Sequence, residues 1–200
     1  MISVLIVEDQ RTLRTALSAL LALEDDIDVV GSAGDGLEGI KLTRELKPDI
    51  VIADIEMPKK TGIELADWIK QQKLETRVII VTTFARAGYL RRALDTGVAG
   101  YLLKDSPGDV LPNAIRTVYN GGRTIDPELA AQAWSESDPL TDRERQVLRL
   151  SAAGLTNVQI ASELSLNDGT IRNYISEAIS KLGATNRIDA ARIARDKGWL

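Results

Sequence analysis

The sequence predicts an α/β domain built on a doubly wound, five-stranded parallel sheet, followed by a small all-α module of four helices. Three observations carry this expectation. Five short β-rich apolar runs alternate with five helical stretches up to about residue 120, and such alternation implies a parallel sheet with helices on both faces and right-handed crossovers. The stretch "NGGRTIDPELAAQAWSESDP" then interrupts the rhythm with glycines, prolines and acidic residues. Beyond it only helical periods occur.

In chain order, the strands are expected at 3–7, 27–33, 50–54, 77–82 and 100–103, and the helices at 11–23, 35–46, 62–71, 88–95 and 107–120. The run Ile50 to Ala53 is apolar throughout, the mark of a strand buried on both faces. Residues 1–120 form the first domain, and 121–138 a linker around one short helix at 127–134. Residues 139–200 form the second domain. No internal repeat or low-complexity segment occurs.

The composition, 44% hydrophobic and 27% charged, is that of an ordinary globular chain. The absence of cysteine excludes disulfides and thiolate metal sites, and the absence of histidine removes the commonest general base and zinc ligand. Any histidine chemistry must come from a partner. No signal-peptide pattern and no apolar run near twenty residues is present, so no membrane insertion is expected and the cytoplasm is the default location. The charge is unevenly spread: residues 1–120 hold 15 Lys/Arg against 18 Asp/Glu, whereas 139–200 hold 9 against 7. An acidic body with a mildly basic tail suggests different partners for the two halves.

Ligands of doubly wound sheets bind at the carboxyl ends of the strands. Strand one ends in Glu8-Asp9, strand three in Asp54 with Glu56 just beyond, strand four in Thr82-Thr83 and strand five in Lys104. Any one of these could be a helix cap or a solvated loop residue. Together they are a chemical set. Converging carboxylates repel unless a cation or proton intervenes, and oxygen ligands without His or Cys select a hard ion such as Mg²⁺. Carboxylates, Mg²⁺ and one lysine suit phosphoryl handling, with a carboxylate as nucleophile. A Mg²⁺-dependent phosphohydrolase using Asp54 is the enzymatic alternative, but the second catalytic Asp and the substrate-capping insertion of such enzymes are not visible. The "GSAGDG" stretch at 31–36 lacks the order of a dinucleotide loop and reads as a turn.

These residues resemble the receiver domains of two-component response regulators: "VEDQ" at 7–10, "DIEMPKKTG" at 54–62, "VTT" at 81–83 and "AGYLLK" at 99–104 fall in that family's order and spacing. The resemblance implies a flavodoxin-like strand order 2-1-3-4-5 and a phosphoryl group accepted by Asp54 from a sensor histidine kinase. It implies Mg²⁺ held by Glu8, Asp9, Asp54 and the backbone carbonyl of Glu56, with Asp9 the more direct partner of the acidic pair. Thr82 would hydrogen-bond the phosphoryl oxygen, Lys104 would pair with it, and Tyr101 would be the aromatic that changes rotamer with Thr82. The family often has a cis proline after the lysine; here Asp105 follows, and a cis bond at a non-proline residue costs ~3–4 kcal/mol.

In the tail, Thr141 and Glu144 form one capping box and Thr156 and Gln159 a second, with Gly154 as the turn between two helices. A third helix runs to about Leu182. It places Ile171, Ile175, Ile179 and Leu182 on one face and Arg172, Asn173, Ser176 and Ser180 on the other. Short helix, tight turn and longer helix is the helix-turn-helix arrangement; the alternative is a helical bundle whose polar face is only solvated. The segment from Leu140 to Arg187 resembles the LuxR-type (NarL/FixJ-like) DNA-binding domain over nearly its whole length. That resemblance implies a recognition region from Thr170 to Lys181, with Arg172, Asn173 and Ser176 facing bases of a double-stranded operator. It implies phosphate contacts from Thr156, Asn157, Lys181 and Arg187. Tyr174 stands where the family frequently has His, and Asp168 adds a negative charge nearby. The last helix, about 188–197, would pack the domain.

The expectation is a transcriptional response regulator, not an enzyme, that is phosphorylated at Asp54 and forms a homodimer when phosphorylated. Helices 11–23 and 107–120 are the expected dimer face, with Leu13 and Leu17 as candidates. A constitutive DNA-binding protein with a scaffold front domain would not need the Asp9, Asp54, Thr82 and Lys104 set. The whole chain, including "FARAGY" and "LLKDSP", resembles DesR-type regulators of membrane-lipid desaturation.

Overall fold

A computed structural model describes residues 1–83, 87–125 and 138–200. The helix expected at 127–134 lies outside the described residues. The chain divides into two compact units, one built around the sheet and one holding the helices that follow residue 138.

The sheet consists of β1 (Ile2–Val7), β2 (Ile27–Ala33), β3 (Ile50–Ala53), β4 (Arg77–Thr82), β5 (Gly100–Leu103) and a short β6 (Thr124–Ile125), in the order β2-β1-β3-β4-β5-β6. All neighbours pair parallel. The order matches the expectation through β5. The two-residue β6 adds an edge in the stretch read as linker, pairing Thr124 with Gly100 and Tyr101 with Ile125. Burial follows position: β3 is buried throughout, whereas β2 at one edge is half exposed, as doubly covered and edge strands should be. Among the described residues Ile6, Ile52, Ile79 and Ile115 are almost wholly buried in the main core.

Around the sheet lie α1 (Arg11–Leu21), α2 (Gly36–Leu46), α3 (Gly62–Gln71), α4 (Ala87–Asp95) and α5 (Val110–Tyr119). The last starts three residues later than expected, and Pro112 sits in its first turn, where a missing N–H costs no helical bond. Thr61 and Glu64 close a capping box at the start of α3. Gly62 is required there by close approach: a Cβ would lie 2.1 Å from the carbonyl oxygen of Asp54. A Cβ at Gly36 would likewise lie 2.1 Å from the carbonyl oxygen of Lys60. The loop after β3 is therefore pressed between the starts of α2 and α3.

The second unit contains α6 (Asp142–Ala152), α7 (Asn157–Leu164), α8 (Asp168–Leu182) and α9 (Arg187–Asp196). Both capping boxes form, and Asn167 caps α8 by accepting from the Thr170 N–H at 2.7 Å. Val147, Ile160, Ile171 and Ile175 make one apolar cluster; Leu140, Leu148, Ala178, Ala194 and Trp199 make another. Glu144, the third residue of α6, is 1% exposed and receives the Lys181 ammonium at 2.7 and 2.8 Å. Burial pushes this carboxyl up, but hydrogen bonds from Lys181 and from Thr141 outweigh it and hold the group below its ordinary value of 4.5.

This pair gives a stability prediction. Lys181→Met leaves a buried carboxylate without its cation and should cost about 1–3 kcal/mol in urea unfolding at neutral pH. A carboxyl depressed on folding stabilises the fold above its unfolded pKa and loses that contribution as pH falls through the folded value. The gap between variant and wild type should therefore narrow below pH 4.5, the ordinary value of the group. An equal gap at neutral and acid pH would remove the pair as its cause.

Candidate functional site

The parallel register brings the expected strand-end residues to one edge. Val7 pairs with both Ala33 and Ala53, and Thr82 with Leu103. The residues that follow continue the ladder: the Glu8 N–H donates to Ala33, the Asp54 N–H to Val7 and the Lys104 N–H to Thr82, at 2.9 to 3.0 Å. Glu8, Asp54 and Lys104 are thus fixed at their Cα atoms by backbone bonds before any side-chain contact forms.

The side chains converge. Carboxylate oxygens of Glu8, Asp9 and Asp54 lie within 4.8 Å of one another. The Lys104 ammonium donates to Glu8 Oε2 at 2.8 Å and to Asp54 Oδ2 at 2.9 Å, and the three bonded side chains are 2–7% exposed. The Ile55 N–H donates to Asp54 Oδ1 at 2.7 Å, and the Gln10 N–H to Glu8 Oε1 at 3.1 Å. Burial pushes the Glu8 carboxyl above its ordinary value, and the bonds from Lys104 and Gln10 only partly offset it. For Lys104 burial acts downward, but its bonds to Glu8 and Asp54 outweigh it and the ammonium is held above its ordinary value. Asp9 is exposed at the mouth of the pocket. Thr82 and Tyr101 are fully buried, and Glu56 is exposed just beyond Asp54. The bond from Lys104 to Asp105 is trans, as are all the described peptide bonds.

This donor set fits a hard divalent cation: three carboxylates at short range, an exposed mouth, and no histidine or cysteine in the chain.

In the helical unit Asn173 and Ser176 are exposed on one face of α8. Arg172 shares that face and pairs with Asp168 one turn earlier, its side chain 71% exposed. Thr170 is partly engaged, its hydroxyl donating to Asn167 at 2.9 Å. Thr156 caps α7, and Asn157 accepts from the Arg187 guanidinium at 3.2 Å, so two expected phosphate contacts are bonded to each other. Lys181 directs its ammonium to Glu144, away from the Arg172 face. The sequence reading did not single out Glu144 as a buried ion-pair partner. Nor did it find Arg14, which donates to the backbone carbonyls of Glu8 and Asp9.

Residues 4–116 match the response regulator receiver domain family, and residues 138–194 match the luxR family of bacterial regulatory proteins. The chain is 51% identical to the transcriptional regulatory protein DesR of Bacillus subtilis (strain 168), covering 100% of both chains. It is 37% identical to the response regulator RamR of Streptomyces coelicolor, covering 100% of this chain and 98% of the relative. Among solved structures, the response regulator ChrA of a heme-sensing two-component system aligns with a TM-score of 0.59 at 32% identity, over 100% of this chain and 98% of that one. A complex of the response regulator RcsB with DNA aligns with a TM-score of 0.66 at 25% identity, over 97% and 98%. With receiver motifs at the strand ends and a capped helix-turn-helix later in the sequence, the chain belongs to the two-component response regulators of the LuxR family.

Proposed function

We propose that Asp54 is the phosphoacceptor through which a sensor histidine kinase controls binding of this regulator to a double-stranded operator. The observation that carries the proposal is the pairing of buried Asp54 with Lys104 beside two further carboxylates. One Asp54 oxygen forms the bond to phosphorus while the bond from phosphorus to the kinase imidazole breaks. This chain contains no histidine of its own. Glu8, Asp9, Asp54 and the Glu56 carbonyl would hold Mg²⁺, which when bound neutralises phosphoryl oxygens. Lys104, already in contact with Asp54, would follow the new negative charge, and the Thr82 hydroxyl would donate to a phosphoryl oxygen. Tyr101, buried on the strand next to that of Thr82, would change rotamer as Thr82 moves.

Phosphorylation replaces the single negative charge of the Asp54 carboxylate by about 1.5 to 2 negative charges on the phosphoryl group. A helical unit of +2 overall releases few counterions and binds a duplex weakly alone, so tight binding calls for two copies on one operator. We assign homodimerisation to the α1 and α5 surface. Leu13 and Leu17 of α1 line an apolar groove of about 170 Å³ there, together with Pro107 and Leu111. Leu17 also packs on the core, and Leu13 is the freer of the two. In the helical unit Arg172, Asn173 and Ser176 would face bases. The Arg172 to Asp168 pair is exposed, and such pairs contribute about 0–1 kcal/mol, so releasing the guanidinium to a base costs little. Thr156 and Thr170 would approach phosphates from the two helix starts, and Arg187 would hold Asn157 in place. No described helix is long and apolar enough to cross a membrane; the cytoplasm is the proposed location. Regulation, not turnover of a substrate, is the proposed role, and the likeness to DesR extends it to genes of membrane-lipid desaturation.

Acetyl phosphate with Mg²⁺ should add one alkali-labile phosphate, and Asp54→Ala should abolish it; continued labelling of the variant would move the acceptor elsewhere. Lys104→Ala should keep a wild-type circular dichroism spectrum and still lose the phosphorylation-dependent rise in DNA affinity, whereas loss of the folded spectrum would make Lys104 structural. For base reading, Arg172→Ala should weaken operator binding by ~1–3 kcal/mol and relax preference at one base pair. An equal loss on every duplex sequence would reduce Arg172 to a phosphate contact.

A further inference from the structure

The loop that carries Glu8 and Asp9 is three residues long, running from the end of β1 to the start of α1. Its carboxylates face the pocket. Glu8 Oε2 meets Lys104, and the Asp9 carboxylate lies within the cluster of three. The backbone carbonyl of Glu8 is part-buried and needs a partner of its own, since a buried carbonyl without one costs as much as a lost hydrogen bond; that of Asp9 lies at the exposed end of the loop. At the other end of the loop Gln10, the N-cap residue of α1, makes no side-chain capping bond to the helix start, so the cap does not brace the loop there. One turn into α1, half-buried Arg14 reaches back, and its Nη1 donates to the Glu8 carbonyl and, at 3.4 Å, to the Asp9 carbonyl. The guanidinium is flanked by the turn after β2, where a Cβ on Gly34 would lie 3.5 Å from the same nitrogen.

We propose that Arg14 is a positioning residue for the acidic pocket. It grips both carbonyls from behind the loop and so fixes the two peptide planes that aim Glu8 and Asp9 at the cation site. The proposal rests on the reading of Glu8, Asp9 and Asp54 as that site. Arg14 is no ligand: its contacts are to main-chain oxygens, and its charge lies behind the backbone while Lys104 lies among the carboxylates. Carbonyls held in one direction leave each carboxylate fewer orientations, so the ligands are arranged before a cation arrives. The guanidinium suits the task because one of its terminal nitrogens carries two N–H donors for the two carbonyls, and its delocalised charge is more weakly hydrated than an ammonium and so is more easily half-buried. The side chain also sits on α1 between Leu13 and Leu17, so the orientation of the acidic loop is tied mechanically to the helix assigned to the dimer.

The test is a titration of the full chain with Mn²⁺, free ion being counted by electron paramagnetic resonance, without any phosphodonor. Partners that orient metal-binding side chains typically contribute 10–100-fold to affinity, so Arg14→Met should bind Mn²⁺ about 10-fold more weakly while keeping the wild-type circular dichroism spectrum. Arg14→Lys, able to reach one carbonyl, should fall between. Unchanged affinity in a folded Arg14→Met overturns the proposal. If Arg14→Met does not fold, Arg14→Lys decides: weaker binding supports the role and wild-type binding overturns it. Asp9→Asn is measured alongside. If it binds Mn²⁺ as wild type does, the cation site itself is misassigned, which is distinguishable from failure of Arg14 alone; loss of binding there leaves the Arg14 comparison meaningful.

Discussion

Everything at the carboxyl edge of the sheet depends on one buried ammonium. Two carboxylates within 4.8 Å of one another repel by roughly 3 kcal/mol or more at the effective dielectric of a protein surface, and Glu8 and Asp54 are almost wholly removed from water. Lys104 bonds both and offsets that repulsion. The strand register delivers all three residues to the same height, so the charges are forced together by backbone pairing, not by side-chain preference. A site assembled in this way responds to added charge. A phosphoryl group on Asp54 would compete with Glu8 for the same ammonium, and the carboxylates that would hold a divalent ion are those that Lys104 now bonds. Lys104 would then redistribute its bonds, and its backbone is tied to Thr82.

The loop after β3 is the second constraint. Gly36 and Gly62 let α2 and α3 approach it to distances no Cβ would allow, and the Lys59 ammonium adds a 2.6 Å bond to Asp35, the residue that caps α2. The Asp54 side chain is consequently mounted at the start of a braced loop. The helical unit solves a different problem with the same chemistry. Capping boxes fix the starts of α6 and α7, and the Glu144 box residue doubles as the buried partner of Lys181, joining α6 to α8 from inside. The exposed face of α8 carries Arg172, Asn173, Ser176, Glu177 and Ser180.

The parts legible in the sequence were those with a residue-type signature or a period. Apolar runs of four to seven residues located β1 to β5, and carboxylates at the ends of such runs located the pocket, because a buried strand leaves them nowhere else to go. The two-residue β6 has no period to read, and its composition is that of a linker. Arg14 was invisible for another reason: its acceptors are main-chain oxygens, which every residue carries. Lys181 is read from the sequence as a phosphate contact, whereas its ammonium bonds Glu144. It follows Arg172 by nine residues, about half a turn around at 3.6 residues per turn, so helical geometry sets it off the Arg172 face. Only the depth at which Glu144 lies was beyond the sequence.

The central claim is that charge placed at Asp54 is converted into association of two chains. Sedimentation velocity of the full chain before and after treatment with acetyl phosphate and Mg²⁺ tests it most directly, with Asp54→Ala as the control. The account predicts a monomer that becomes a dimer on phosphorylation, and no change in the variant. A phosphorylated protein that remains monomeric while its affinity for DNA rises would contradict it.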